Sequence, residues 1–334
     1  MQKNLLINTG FPMSVNILND LKPVKRAHTD SWYIKTEFEA DGKQLGFTWH
    51  QMIQPYGNEI KVSAESLFMN ATDDIWLNNK ILSSPNTENG MAEDKMHCYS
   101  SWGNFSGDLN HMTLDLKIED NEIHMNFTPN GEILYNGGAG LIEFGSMASY
   151  QFSSPNMKME GSFIFQGYEY KVKNATAWFD RQYGIVTNRP EEPKLVPGKS
   201  AWLWIGHSSL QGNKGAVSLW DVYNKDEKNA FGTFLHKDGS ITNAIADITY
   251  DNIWTSEGSG HSYPNTIKID IPVEDYHVKL TCLSSGSNAE FVHEELKALS
   301  GCQCLYKING TYKGEIVDSV VDVEMVGNLC GVNI

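Results

Sequence analysis

Apolar and polar residues alternate along most of this chain, with the two-residue period of strands that bury one face. Ser31 to Phe38 alternates, Asp41-Gly42 supplies a tight turn and Leu45 to His50 returns, which predicts a β-hairpin. A second hairpin is predicted from Gly107 to Ile118 and Glu122 to Thr128, turning at Asp120-Asn121. Short strands are expected at Leu67–Met69 and Asp74–Leu77, and a polar loop or brief helix over 83–96. The alternation continues through Ala148–Phe152 and Glu160–Gly167 into Tyr168–Val172, with turn residues every eight to twelve positions. That spacing predicts an antiparallel sandwich or barrel rather than βαβ units. Only Ala289 to Ser300 has a helical pattern.

The pattern breaks at 188–200, where three prolines and a glycine occur without periodicity. It restarts with Ala201–His207, Ala216–Tyr223, a turn at Lys237-Asp238-Gly239, Lys268–Pro272 and Thr311–Gly327. The expected organisation is therefore an amino-terminal β-domain over 1–187, a linker over 188–200 and a carboxy-terminal β-domain over 201–334. Each half opens on a Trp-rich strand and closes on one with a carboxylate near a glycine, as distant internal repeats would.

Composition narrows the function. A net charge of −15 repels nucleic acid and anionic membranes, leaving a neutral or apolar small molecule as the expected partner. No stretch approaches 18 apolar residues, and Leu5-Leu6-Ile7 is too short for a secretion signal. The five cysteines, odd in number and unevenly spread, read as free thiols. Together these predict a cytoplasmic protein, while sequons at Asn70, Asn104, Asn126, Asn174 and Asn309 leave a secreted origin open. Cys302-Gln303-Cys304 lacks zinc-knuckle spacing and reads as strand residues sharing a face. With no metal-ligand spacing, nucleophile–base order or phosphate-cradling loop, hydrolysis and phosphoryl transfer have no support and no metal site is expected.

The chemistry concentrates at Ala177-Trp178-Phe179-Asp180-Arg181-Gln182-Tyr183-Gly184. On a strand Trp178, Asp180 and Gln182 point one way, and Phe179, Arg181 and Tyr183 the other. A carboxyl beside an indole is desolvated, which raises its pKa toward a value useful for proton donation. The alternative is a strand-end ion pair of Asp180 with Arg181 among core aromatics. His50, beside Trp49, is either a core histidine or a base, and His207, just past Trp204, carries the same two readings. Glu160 and Glu324, each near a glycine, read as solvated. Nine tryptophans exceed what a core needs and suit an apolar, cation-stabilising pocket.

In these residues the chain resembles the two-domain lipocalin-like family of carotenoid 1,2-hydratases, kievitone hydratase, AttH-like proteins and fungal decalin-forming Diels–Alderases. The matching pieces are Asp30–Tyr33, Ser149–Met157 with Met159–Gly161, Ala177–Gly184, Ala201–Gly206, Gly232–Leu235 with Asp238–Ser240, and Val323–Gly327, in the family's order. The resemblance implies two calycin-type β-domains, an apolar ligand site in or between them, and no cofactor. It implies Asp180, Tyr183 and His50 as catalytic candidates, with Trp32, Trp49, Tyr150, Trp178, Trp204 and His207 against the substrate. The expected activity is cyclisation or isomerisation of a hydrophobic metabolite through its double bonds. Hydration of an isoprenoid-type double bond, or carriage without catalysis, are the alternatives. Arg181-Gln182 after the acid departs from the carotenoid hydratases and speaks against carotenoid substrates.

Overall fold

The computed structural model describes residues 15–24, 27–56, 59–144, 147–185, 200–224, 227–284, 289–293 and 297–331. The chain builds two antiparallel sheets, of thirteen and ten strands. The first begins with a four-stranded meander, Thr29–Ala40, Lys43–Tyr56, Glu59–Asn70 and Ile75–Ser83. Thr29–Ala40 also pairs with Tyr168–Ile185, the strand carrying the Trp-Phe-Asp-Arg motif, and that strand pairs with Met147–Phe165. From there the sheet continues through Asn121–Thr128, Met112–Ile118, Gly103–Gly107 and Met96–Ser100 to Gly90–Met91. Register shifts at Ser154/Met157 and Met159/Gly161 are bulges, which bend the two long strands and curl the sheet.

The second sheet runs in the order Ile241–Ile245, Glu227–Leu235, Gly215–Asn224, Ser200–Ser209, Glu315–Val326, Gly301–Tyr312, Tyr276–Cys282, Ser262–Ile271 and Asp247–Thr255. Each sheet closes over its own core. Trp32, Trp49, Phe163 and Phe179 lie in the first, and Leu203, Ile205, Tyr263 and Tyr276 in the second. A third buried cluster, with Tyr33, Trp178, Trp204 and Trp220, fills the seam between the sheets.

Two local expectations are corrected. Ala289 to Ser300 forms no continuous helix. Glu290–Phe291 pairs with Cys302 and Gly301, and Lys297–Leu299 makes a single helical turn, while the Glu290 carboxylate is held by Ser256, Ser259 and Tyr263. The strand expected from Gly107 begins at Met112, since Asp108 accepts the backbone N–H groups of Asn110 and His111 and turns the chain. Within 83–96 the chain is loop with the short strand Gly90–Met91. The expected linker, 188–200, lies outside the described residues except for Ser200, which opens a strand. Cys302 and Cys304 share the inner face of the second sheet, and all five thiols are free. Asn70 is buried, whereas Asn126, Asn174 and Asn309 are exposed. Among the described residues no helix is long and apolar enough to cross a membrane.

Candidate functional site

The site follows from strand alternation on both sides of the seam. On Thr29–Ala40, Trp32 and Ile34 enter the first core while Ser31, Tyr33 and Lys35 face the second sheet. On Lys43–Tyr56, Phe47 and Trp49 go inward, and His50 and Met52 outward. The second sheet answers in kind: Leu203, Ile205, Val323 and Met325 fill its core, and Trp202, Trp204, Gln303 and Glu324 face the seam. Between these outward faces lies a cavity of about 270 Å³. Its apolar wall includes Met52, Trp202, Trp220, Phe291 and Val326, and its polar groups include Tyr33, His50, Glu65, Gln303 and Glu324.

The seam is closed by indoles. Trp178 meets Trp204 edge to face at 5.9 Å, and Trp204 meets Trp220 at 6.2 Å. Gly206 makes this approach possible, since a Cβ there would lie 2.8 Å from Trp178 and 2.9 Å from Trp204.

The titratable groups of the cavity have displaced protonation equilibria. Burial raises the Glu324 pKa to about 7; the N–H of Trp202, 3.0 Å from Oε1, works against that rise, and the carboxylates of Glu65 and Asp180 add to it. For Glu65 burial acts in the same sense and is the largest single influence, but Lys80 at 2.7 Å, together with His50 and His293, outweighs it and the carboxyl is held below its usual range. Burial lowers the His50 pKa, so its imidazole is neutral at pH 7, with Nε2 2.8 Å from Ser31 Oγ. One cavity thus holds a carboxylic acid that retains a proton near neutrality, a neutral imidazole and an ionised carboxylate.

Asp180 lies behind this wall, directly opposite Tyr33 on the adjoining strand. Its carboxylate accepts from Trp178 Nε1 at 2.7 Å, Gln151 Nε2 at 2.8 Å and the Ser153 hydroxyl. Burial outweighs these bonds and lifts its pKa to about 6. Arg181 is not its partner, because consecutive strand residues face opposite ways. The guanidinium lies on the inner face, 2.5 Å from Asp30, 3.9 Å over the Trp32 ring and donating to the carbonyls of Ser31, Lys22 and Gln182. This corrects the ion-pair reading of Asp180 with Arg181.

Of the residues singled out in the sequence, His50 lines the cavity, and Asp180, Trp178 and Trp204 stand in the seam around it. The others lie elsewhere. Trp32 and Trp49 are inside the first core. Tyr183 stacks on Tyr150 at 5.2 Å on that inner side and donates to Asp20 at 2.7 Å. His207 belongs to the second sheet, between the Tyr276 hydroxyl and Ser319 Oγ at 3.2 Å each, and burial lowers its pKa to about 3. Glu324, read as solvated, faces the cavity instead, while Glu160 is exposed. Tyr33, Glu65 and Gln303 carried no signal beyond their parity on a strand. Among the described residues no group of three His, Cys, Asp or Glu is placed to hold a metal ion.

An all-β protein of two curled, lipocalin-like sheets with a mixed apolar and acidic cavity at their seam is the class this arrangement defines. The chain belongs to the AttH-like family, whose family model matches residues 11–294 and so spans both sheets. A putative AttH from Nitrosomonas europaea shares the fold, with a TM-score of 0.79 at 16% identity, covering 95% of this chain and 97% of that one. In sequence the chain is 27% identical to the dehydratase asqC of Emericella nidulans over 160 residues, 44% of this chain and 42% of that protein. It is 24% identical to kievitone hydratase of Fusarium solani subsp. phaseoli over 196 residues, 48% of this chain and 52% of that protein. The chain thus spans about half the length of the curated relatives it matches.

Proposed function

We propose that this protein is an enzyme that adds water to, or removes it from, a double bond of a hydrophobic metabolite by acid–base chemistry. The reading rests on one observation: Glu324, with a pKa of about 7, faces the same cavity as the neutral imidazole of His50. In the hydration direction the Glu324 carboxyl gives its proton to one alkene carbon, and the π pair forms the new C–H bond. Water attacks the other carbon while His50 takes the proton that water releases. Return of that proton from His50 to the Glu324 carboxylate through water completes the cycle, with one water added across the bond. Dehydration is the same path reversed. The indoles of Trp202 and Trp220 supply π-faces for the cationic carbon, and burial, with smaller contributions from the charges of Glu65 and Asp180, keeps Glu324 protonated. The names of the dehydratase and hydratase relatives support this direction of chemistry.

The apolar wall supports a second reading, in which the cavity confines a polyene in a reactive conformer and the product is a cyclised isomer. Incubation with a panel of lipophilic alkenes and alcohols in water labelled with heavy oxygen separates the two. Addition gives a product heavier by one labelled water, and elimination one lighter by one water. Cyclisation gives unchanged mass. Loss of general acid catalysis costs about 10²- to 10⁴-fold, so Glu324→Gln should turn over slower by that order. A variant as fast as the wild type would remove Glu324 from the chemistry.

A further inference from the structure

The Tyr33 hydroxyl is held in a way the acid–base reading does not use. Gln303 Nε2 donates to the Tyr33 oxygen at 2.6 Å and, with its other hydrogen, to Asp322 Oδ2 at 2.8 Å. Flipping the amide would set its carbonyl oxygen against Asp322, which disfavours the flip while Asp322 carries its charge; burial raises that carboxyl to a pKa of about 7. The phenol ring is held edge-on to His50 at 5.4 Å and to Trp204 at 5.5 Å. A phenol oxygen that accepts from an amide on one side turns its own proton away from that amide. Tyr33 and Gln303 both line the cavity, so the phenol and the amide that holds it border the space a ligand would take. Burial, with Asp322 and Glu324 nearby, pushes the phenol well above its ordinary pKa, so it keeps that proton.

We infer that Tyr33 donates a hydrogen bond to an oxygen of the substrate, with Gln303 and Asp322 as positioning residues that aim its hydroxyl into the cavity. The substrate class is accordingly a hydrophobic molecule with a carbonyl, or another oxygen acceptor, close to the reacting double bond. A purely hydrocarbon polyene would offer this donor no acceptor. The inference deepens the proposed function and rests on the same cavity being the ligand site.

The test uses chalcone, an aromatic enone, and trans-stilbene, which has the same flat aromatic form without the oxygen. Calorimetric titration should show wild-type protein binding chalcone more tightly than stilbene. Tyr33→Phe keeps the ring and should lose about tenfold in chalcone affinity, the worth of one hydrogen bond, with no change for stilbene. The infrared carbonyl stretch of bound chalcone should be lowered in the wild type and move toward its free value in Tyr33→Phe. Gln303→Leu, which leaves the hydroxyl in place but unaimed, should move it in the same direction. Equal affinity of the wild type for the two probes would overturn the inference. So would a Tyr33→Phe protein with wild-type chalcone affinity and carbonyl frequency. Glu324→Gln should keep the preference for the enone, so the aimed donor and the acid–base reading fail separately.

Discussion

Replacing Asp180 with asparagine isolates the cost of keeping a charge in the seam. The carboxyl is buried, and burial, opposed by bonds from Ser153, Trp178 and Gln151, raises its pKa from 3.8 to about 6. An acid whose folded-state pKa is raised stabilises the fold fully below its unfolded pKa, and that contribution is lost as pH rises through the folded value. A tenfold change in proton affinity is worth about 1.4 kcal/mol, so the rise corresponds to about 3 kcal/mol. Wild-type stability should therefore fall by about 3 kcal/mol on this group's account between about pH 4 and pH 7, and the asparagine variant should not share the fall. The amide fits the same space. The Gln151 side-chain oxygen, which has no hydrogen-bond partner among the described residues, can turn to accept from it. Urea unfolding of both proteins at about pH 4 and about pH 7.5 measures the double difference. The variant should gain about 3 kcal/mol on the wild type between the two conditions. A stability difference that is the same at both pH values would refute the reasoning, because it would mean that Asp180 titrates alike in the folded and unfolded chain.

Three further outcomes are expected. Arg181→Met strands the buried Asp30 carboxylate and three backbone carbonyls, and should cost about 3–5 kcal/mol in chemical denaturation; a loss below about 1 kcal/mol would show the ion pair to be dispensable. Gly206→Ala forces Trp178 and Trp204 apart and should cost about 1–3 kcal/mol, with a changed near-ultraviolet circular dichroism of the indoles. Limited proteolysis should cut first within the proline-rich 188–200 and release two fragments; first cleavage near residue 100 would argue against a division into 1–187 and 201–334.

The β architecture was legible because period-two alternation and turn residues are local signals. The Asp41-Gly42 hairpin appears where the sequence places it, with Thr29–Ala40 paired to Lys43–Tyr56. The two-faced reading of the Trp-Phe-Asp-Arg strand was also legible: Trp178 bonds Asp180 on one face while Arg181 reaches Trp32 on the other. What the pattern does not disclose is which face of a strand belongs to the core and which to the seam. Trp32 and Tyr33 are adjacent, bulky and both buried, so their composition is the same for either assignment. Expectation grouped Trp32 and Trp49 with His50, whereas the register sends the two indoles into the first core and leaves His50, with Tyr33, on the cavity. Glu324 was missed for a related reason. A carboxylate on an alternating strand looks solvated until the other sheet covers it, and here that covering comes from first-sheet residues such as His50 and Glu65, more than a hundred positions away in the chain.

The cavity is assembled from the outward faces of two sheets that each bury a separate core. In a barrel that holds its ligand inside, every change to the pocket is also a change to the packing that keeps the barrel folded. Here Met52, Trp202 and Phe291 line the cavity from positions that a free-standing sheet would present to solvent. Substitutions at such positions can therefore reshape the cavity while both interiors stay as they are. Such a scaffold can vary the lining of its cavity over evolutionary time without rebuilding either core.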